Sequence, residues 1–252
     1  MKIKGEFFYL EQLVRVKYCK DGPIKYISHL NLAQVFTRTL RRADIPVVIS
    51  NGFNPRFRIS FGPPLPLGIS STSEYLDIRL KEEIKVEELT ERLNLELPQG
   101  LKILQAKIIP SSADSLVKVI DRASYIITLK IKEKLLDSVT KNQEDELRKL
   151  KQEIGKNNKR FLNLDEISLE KQTKNGVKRV DIKPSILDIK VQNFKSPILK
   201  LSLEIRIGQQ GNLNPQYVAK AWISNFADNF DIIQICRDGL YVKGEEVIEE
   251  VI

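Results

Sequence analysis

The chain has few of the residues that carry redox, metal or nucleophilic chemistry: two cysteines, one histidine, one tryptophan and one methionine among 252 residues. Cys19 and Cys236 lie far apart, which excludes a three-cysteine iron–sulfur motif and any zinc-ligand spacing. Two isolated cysteines fit a reducing compartment, each as a small buried hydrophobe. With His29 as the sole imidazole, no nucleophile–histidine–acid set can be assembled with conviction. The opening MKIKGEFFYL has neither the apolar stretch nor the small-residue cleavage site of a secretory signal. No apolar run reaches membrane-spanning length. The P-loop lysine and the dinucleotide fingerprint are also missing. These absences lead us to expect a cytoplasmic protein with no membrane association, no metal and no cofactor.

What is present is positive charge. The formal net charge is +8 and the pI near 9.3, on 42% hydrophobic and 29% charged residues, a normal globular composition. The excess sits at the front: residues 1–60 hold eleven Lys or Arg against four Asp or Glu. A basic region of this kind points to a polyanionic partner, nucleic acid ahead of anionic lipid, and equally to a solvated surface that maintains solubility.

Periodicity gives a coarse element order. Val14–Cys19 alternates like a strand and ends at Asp21-Gly22-Pro23. Ser28 is placed to cap a helix running to about Ala43, with Leu32, Phe36, Leu40 and Ala43 facing the core and Arg38, Arg41 and Arg42 largely opposite. A short strand over Val47–Ile49, a strand over Glu74–Leu80, a helix over Val86–Leu97 and a strand over Leu101–Ile109 follow. The order then repeats: a strand at Tyr125–Ile131, a charged helix from Lys134 to about Ile154, strands Glu166–Thr173 and Val177–Ile182 around Asn175-Gly176. A strand at Leu199–Ile207, a helix at Pro215–Phe226 opened by Asn214-Pro215 and a strand at Ile232–Tyr241 complete it. The expected fold class is α+β: two tandem ferredoxin-like (βαββαβ) halves, residues 1–110 and 124–252, the second elaborated around residues 155–198.

Five segments carry candidate chemistry. Asn51–Phe61 interleaves Phe53, Phe57 and Phe61 with Arg56 and Arg58, a pattern suited to stacking on bases while guanidiniums meet phosphates. The same spacing also fits phenylalanines facing a core. Pro63–Gly68 removes three backbone donors, so it cannot be a central strand; it either positions the preceding loop or docks a partner. His29 falls in the first turn of the basic helix, where the imidazolium is disfavoured and a neutral base or a local hydrogen-bonding group results. Lys174, Lys178 and Arg179 mark a basic hairpin, and Gly208–Asn214 offers backbone amides to a phosphate.

Ser28–Ile69 followed by Ser73–Leu80, with ERLNLELPQGLKILQA, EKQTKNGVKRVDIKP and GNLNP further on, resembles the signature of the radical-SAM-linked (radical SAM-associated) proteins, a domain family of unknown function. Members stand alone or follow a radical S-adenosylmethionine domain, often encoded near ribosomal-protein and ribonuclease genes. This chain is similar to the stand-alone type, since the iron–sulfur cysteines are absent. It departs from the family's SHLD in having Asn31, and it has Arg56, which cannot act as a general base, where a second basic or histidine residue is common.

Residues and resemblance together lead us to expect an RNA-binding accessory protein, not an enzyme by itself, acting with a radical S-adenosylmethionine enzyme or on the ribosome and RNA-processing machinery. Its nucleic-acid contacts would be Arg38, Arg41, Arg42, Phe53, Arg56, Arg58, Lys174, Lys178 and Arg179. Two alternatives stay open. One is a protein-interaction module without nucleic acid. The other is a metal-independent RNA endonuclease with His29 as base, a role that some CRISPR repeat-processing endonucleases of similar layout give a histidine.

Overall fold

The structure, a computed structural model, describes residues 11–135, 143–173, 176–208, 211 and 213–242. It is mixed α+β with mostly antiparallel strands, and the chain divides between Ile120 and Asp121 into two compact units.

The first unit contains β1 (Gln12–Lys20), α1 (His29–Arg42), β2 (Ile59–Phe61), β3 (Ser70–Leu80), α2 (Val86–Glu96), β4 (Leu101–Ile109) and the short α3 (Leu116–Val119). The strands lie in the order β4-β1-β3, with β2 on the other edge of β3, and every pairing is antiparallel. Strand alternation turns Val14, Val16 and Tyr18 of β1 and Leu76, Ile78 and Leu80 of β3 to one face. There they pack on Leu32, Phe36 and Leu40 of α1 and Leu89 and Leu93 of α2. Burial of these side chains is the main stabilising contribution, about 1.5–3 kcal/mol each.

Local chemistry sets the ends of α1. The Ser28 side chain accepts a hydrogen bond from the Asn31 amide at 3.2 Å, as its position before the helix predicts. Beyond the other end Asp44 adopts a positive φ of 50°, and Arg92 of α2 donates to the carbonyls of Ala43 at 3.0 and 2.6 Å and Asp44 at 2.5 Å. A positive charge there complements the helix dipole and ties the two helices together. The turn that leaves β1 packs tightly on Gly100. Its φ is +93°, the Asp21 amide donates to its carbonyl at 2.8 Å, and a Cβ there would lie 2.3 Å from the Asp21 oxygen.

The expected strand at Val47–Ile49 is reduced to two isolated bridges, Val47 to Leu80 and Ile49 to Phe57. Pro63–Gly68 forms no strand, in line with its missing donors. It is held at both ends, by the Gly62 amide on the Tyr75 carbonyl (2.9 Å) and the Gly68 amide on the Lys25 carbonyl (3.0 Å).

The second unit contains β5 (Ile120–Ile131), α4 (Gln143–Leu162), β6 (Ser168–Thr173), β7 (Gly176–Asp181), β8 (Ile186–Lys195), β9 (Ile198–Arg206), α5 (Pro215–Ser224) and β10 (Phe230–Val242). Its main strands follow the order β10-β5-β9-β8, and β6 and β7 pair separately. This differs from the sequence reading, which gives the β6–β7 hairpin a place among the repeated strands and treats the region around 155–198, β8 included, as elaboration. Periodicity misses strand β8 because two register shifts, between Ile186 and Asp188 and between Val191 and Asn193, break its alternation. Its charged Asp188, Lys190 and Lys195 also suit an edge. In the core, Asn158 of α4 accepts from Trp222 Nε1 at 3.0 Å and donates to the Ile189 carbonyl at 2.7 Å, so one buried amide links two helices and β8. No described helix is long and apolar enough to cross a membrane.

Candidate nucleic-acid interface

Between α1 and β2 the chain leaves the sheet as a narrow hairpin. The Val48 amide donates to the Arg79 carbonyl, Arg58 to Val48 and Ser50 to Arg56, at 2.8 Å each. Asn51 to Arg56 are exposed, and Phe53 at the tip is 106% exposed. Phe57 and Phe61 are different. Both are partly buried and pack against the core of the first unit, and Phe61 meets Phe36 at 5.7 Å between ring centroids. Alternation therefore separates one solvated ring from two anchoring rings.

The arginines also separate. The Arg41 guanidinium lies over the Phe57 ring, 5.3 Å from its centroid, with the side chain otherwise exposed. Arg42 is occupied: it donates to Glu96 Oε2 at 2.8 Å and to the Glu96 carbonyl at 2.6 Å, fastening α1 to the end of α2. Arg38, Arg41, Arg56 and Arg58 are exposed and make no ion pair with any described residue. Arg58 faces away from Phe57 along the strand and borders a groove of about 320 Å³ with Leu13, Ser60, Asp77 and Arg79. In the second unit Lys178 and Arg179 are exposed on β7, Arg179 lying 3.9 Å from a Glu166 carboxylate oxygen. Lys174 lies outside the described residues, as do residues 209, 210 and 212 of the glycine loop.

His29 opens α1, its ring edge-on to Phe61 at 5.2 Å. Burial lowers its pKa from the ordinary histidine value; the Glu74 charge opposes this and the Lys20 charge adds to it. Lys20 and Glu74 are almost fully buried, 2% and 4% exposed, and Lys20 donates to the Ile27 carbonyl at 3.2 Å. The sequence reading does not single them out; their signal is charge at core-facing positions of β1 and β3. A lowered pKa means the folded state resists protonating His29. The associated stability is present above the ordinary pKa near 6.5 and is lost as pH falls through the lowered value. Urea midpoints at pH 5 and pH 7.5 should therefore drop more on acidification in the wild type than in His29→Gln; equal drops would remove this linkage.

On the opposite face of the same sheet Arg15 and Asp77, direct cross-strand partners, form a buried bidentate pair at 2.8 and 3.0 Å. Among the described residues no group of three or more His, Cys, Asp or Glu is placed to hold a metal ion.

These features define an α+β protein whose first unit presents an exposed aromatic tip amid exposed arginines. The chain belongs to a family of uncharacterised proteins conserved in bacteria (DUF2344), whose model matches residues 14–215. A comparison with curated protein sequences finds no match. Among solved structures the chain is similar to a chain of the archaeal box H/ACA sRNP Nop10–Cbf5 complex, at 8% identity over 90% of this chain and 46% of that one, TM-score 0.42. It is also similar to a chain of a Cbf5–Nop10–Gar1 complex, at 8% identity over 93% and 50%, TM-score 0.46. A protein from Galdieria sulphuraria matches at 11% identity over 90% and 98%, TM-score 0.24. The chain spans about half the length of the first two, and likenesses this loose carry no argument about its function.

Proposed function

We propose that the protein is an RNA-binding accessory protein that grips single-stranded RNA through the tip of its first unit. One observation carries this reading: Phe53 is fully solvated within a segment whose arginines have no ion-pair partner among the described residues. A solvated phenylalanine at a hairpin tip contributes nothing to the core. Beside guanidiniums it supplies what a flexible strand needs, a stacking surface and phosphate contacts. The strand orders β4-β1-β3-β2 and β10-β5-β9-β8 support reading the two units as tandem ferredoxin-like halves, a sheet type that commonly binds RNA. The resemblance to radical-SAM-linked proteins supports action beside a radical S-adenosylmethionine enzyme.

The test is fluorescence anisotropy of a labelled single-stranded RNA at several salt concentrations. Binding should weaken steeply with salt, and Phe53→Ala should cost about 1–3 kcal/mol, roughly 5- to 150-fold in affinity, with little change in salt slope. Absence of binding at low salt, or identical affinity for Phe53→Ala, would overturn the assignment.

A further inference from the structure

In the second unit, the later turns of α4 and the turn after α5 border an open groove of about 310 Å³. Glu153, Lys156, Asn157 and Arg160 line it from the helix, at the spacing of a single helix face. The core side of α4 is made by other residues, Leu150, Ile154, Asn158 and Phe161. The groove face is therefore not needed to bury the helix.

From the other side come Asn225, Phe226 and Asn229. The chain turns back there through two successive left-handed residues, Ala227 and Asp228, with φ of 51° and 54°. The Asp228 amide donates to the Ile223 carbonyl at 3.1 Å and the Asn229 amide to the Phe226 carbonyl at 3.3 Å, which holds the turn. The Phe226 ring lies parallel to the Trp222 indole and forms a rigid wall.

The amides of this groove are polarised. Asn225 Nδ2 donates to Asn157 Oδ1 at 3.0 Å, so the Asn157 oxygen is engaged and its amino end is left over. That Nδ2 has no hydrogen-bond partner among the described residues, a situation costing about 1–3 kcal/mol, and it lies just beneath the groove surface, so an acceptor reaches it once the Asn157 side chain turns outward. Lys156 and Arg160, one turn apart, are exposed and make no ion pair among the described residues, and neither does Glu153. Two exposed cations, with the Asn157 amide beneath them, favour an anion rich in acceptor oxygens. The volume is far larger than a bare phosphate needs and falls within the range of small-molecule sites. The remaining polar groups, the Asn229 amide and the Glu153 carboxylate, offer a donor and acceptors to a flat polar edge.

We propose that this groove binds a nucleoside monophosphate, with the phosphate on Lys156, Arg160 and the Asn157 amide and the base edge against Asn229 and Glu153. The proposal does not rest on RNA binding by the first unit. The same chemistry is offered by a free nucleotide and by the phosphorylated end of a strand, and the experiment separates the two.

Titration calorimetry of the full chain with AMP, CMP, GMP, UMP and inorganic phosphate is the direct measurement. At least one nucleotide should bind, inorganic phosphate should bind about tenfold or more weakly, and Arg160→Gln and Lys156→Gln should each reduce nucleotide affinity by about tenfold. Both substitutions fall at exposed positions without a packing role, and Phe53→Ala should leave nucleotide binding unchanged. Competition by a 5′-phosphorylated but not a 5′-hydroxyl dinucleotide would assign the site to strand ends; competition by neither would assign it to free nucleotides. No nucleotide binding, equal affinity for inorganic phosphate, or unchanged affinity in Arg160→Gln would overturn the proposal.

Discussion

Asp77→Ala is expected to destabilise the first unit by about 3–5 kcal/mol, because it leaves the Arg15 guanidinium charged in a buried site. The Arg15 and Asp77 side chains are only 10% and 7% exposed, they are cross-strand partners on β1 and β3, and Arg15 also reaches the Asp114 carbonyl at 3.4 Å. Removing one partner is costly because the other loses its counter-charge while water remains excluded. Removing both is different: an Arg15→Met/Asp77→Leu double variant should be neutral or more stable, since the desolvation cost vanishes with the charges. Urea denaturation followed by far-UV circular dichroism is the suitable readout. Trp222, the only tryptophan, lies in the second unit, so its fluorescence follows that unit instead. A loss under about 1 kcal/mol for Asp77→Ala would mean the pair behaves as a solvated surface bridge.

Replacing Arg38, Arg41, Arg56 and Arg58 together by glutamine should reduce single-stranded RNA affinity by about two orders of magnitude at physiological salt. The reasoning is counterion release, about 0.7 of an ion for each phosphate on a single strand that an arginine neutralises. The salt slope should shrink by up to about three, which a purely structural defect would not produce. Arg42 serves as the internal control. Its charge is taken up by Glu96, so Arg42→Gln should loosen α1 from α2 while changing the salt slope little. A quadruple variant that binds as tightly as the wild type would remove the tip from consideration as a phosphate-binding surface.

Some of these features are legible in the residue pattern. Residues Leu32, Phe36 and Leu40 recur at helical spacing, and Ser28 precedes them as a cap; both signals are local, and α1 forms where they indicate. The same holds for β4 over Leu101–Ile109, and for α5, whose Asn214 caps and Pro215 opens the helix. Local signals fail at β8, where bulges and edge charges hide the alternation, and at Val47–Ile49, where only two bridges form.

The residues of the interface divide along the same line. The order of amino acids is enough to establish that segment 51–61 carries rings and guanidiniums in alternation, and that charge is concentrated in the first sixty residues. Which of them remain available is settled by packing alone. Phe57 and Phe61 turn to the core, Phe53 does not; Arg42 meets a carboxylate from a helix more than fifty residues away, Arg38 does not. The physical reason is range. Periodicity and caps arise from neighbours within a turn or two of the chain. Burial and ion pairing depend on which distant surfaces meet, and Arg15 with Asp77, and Asn157 with Asn225, meet only after the sheet and helices have formed.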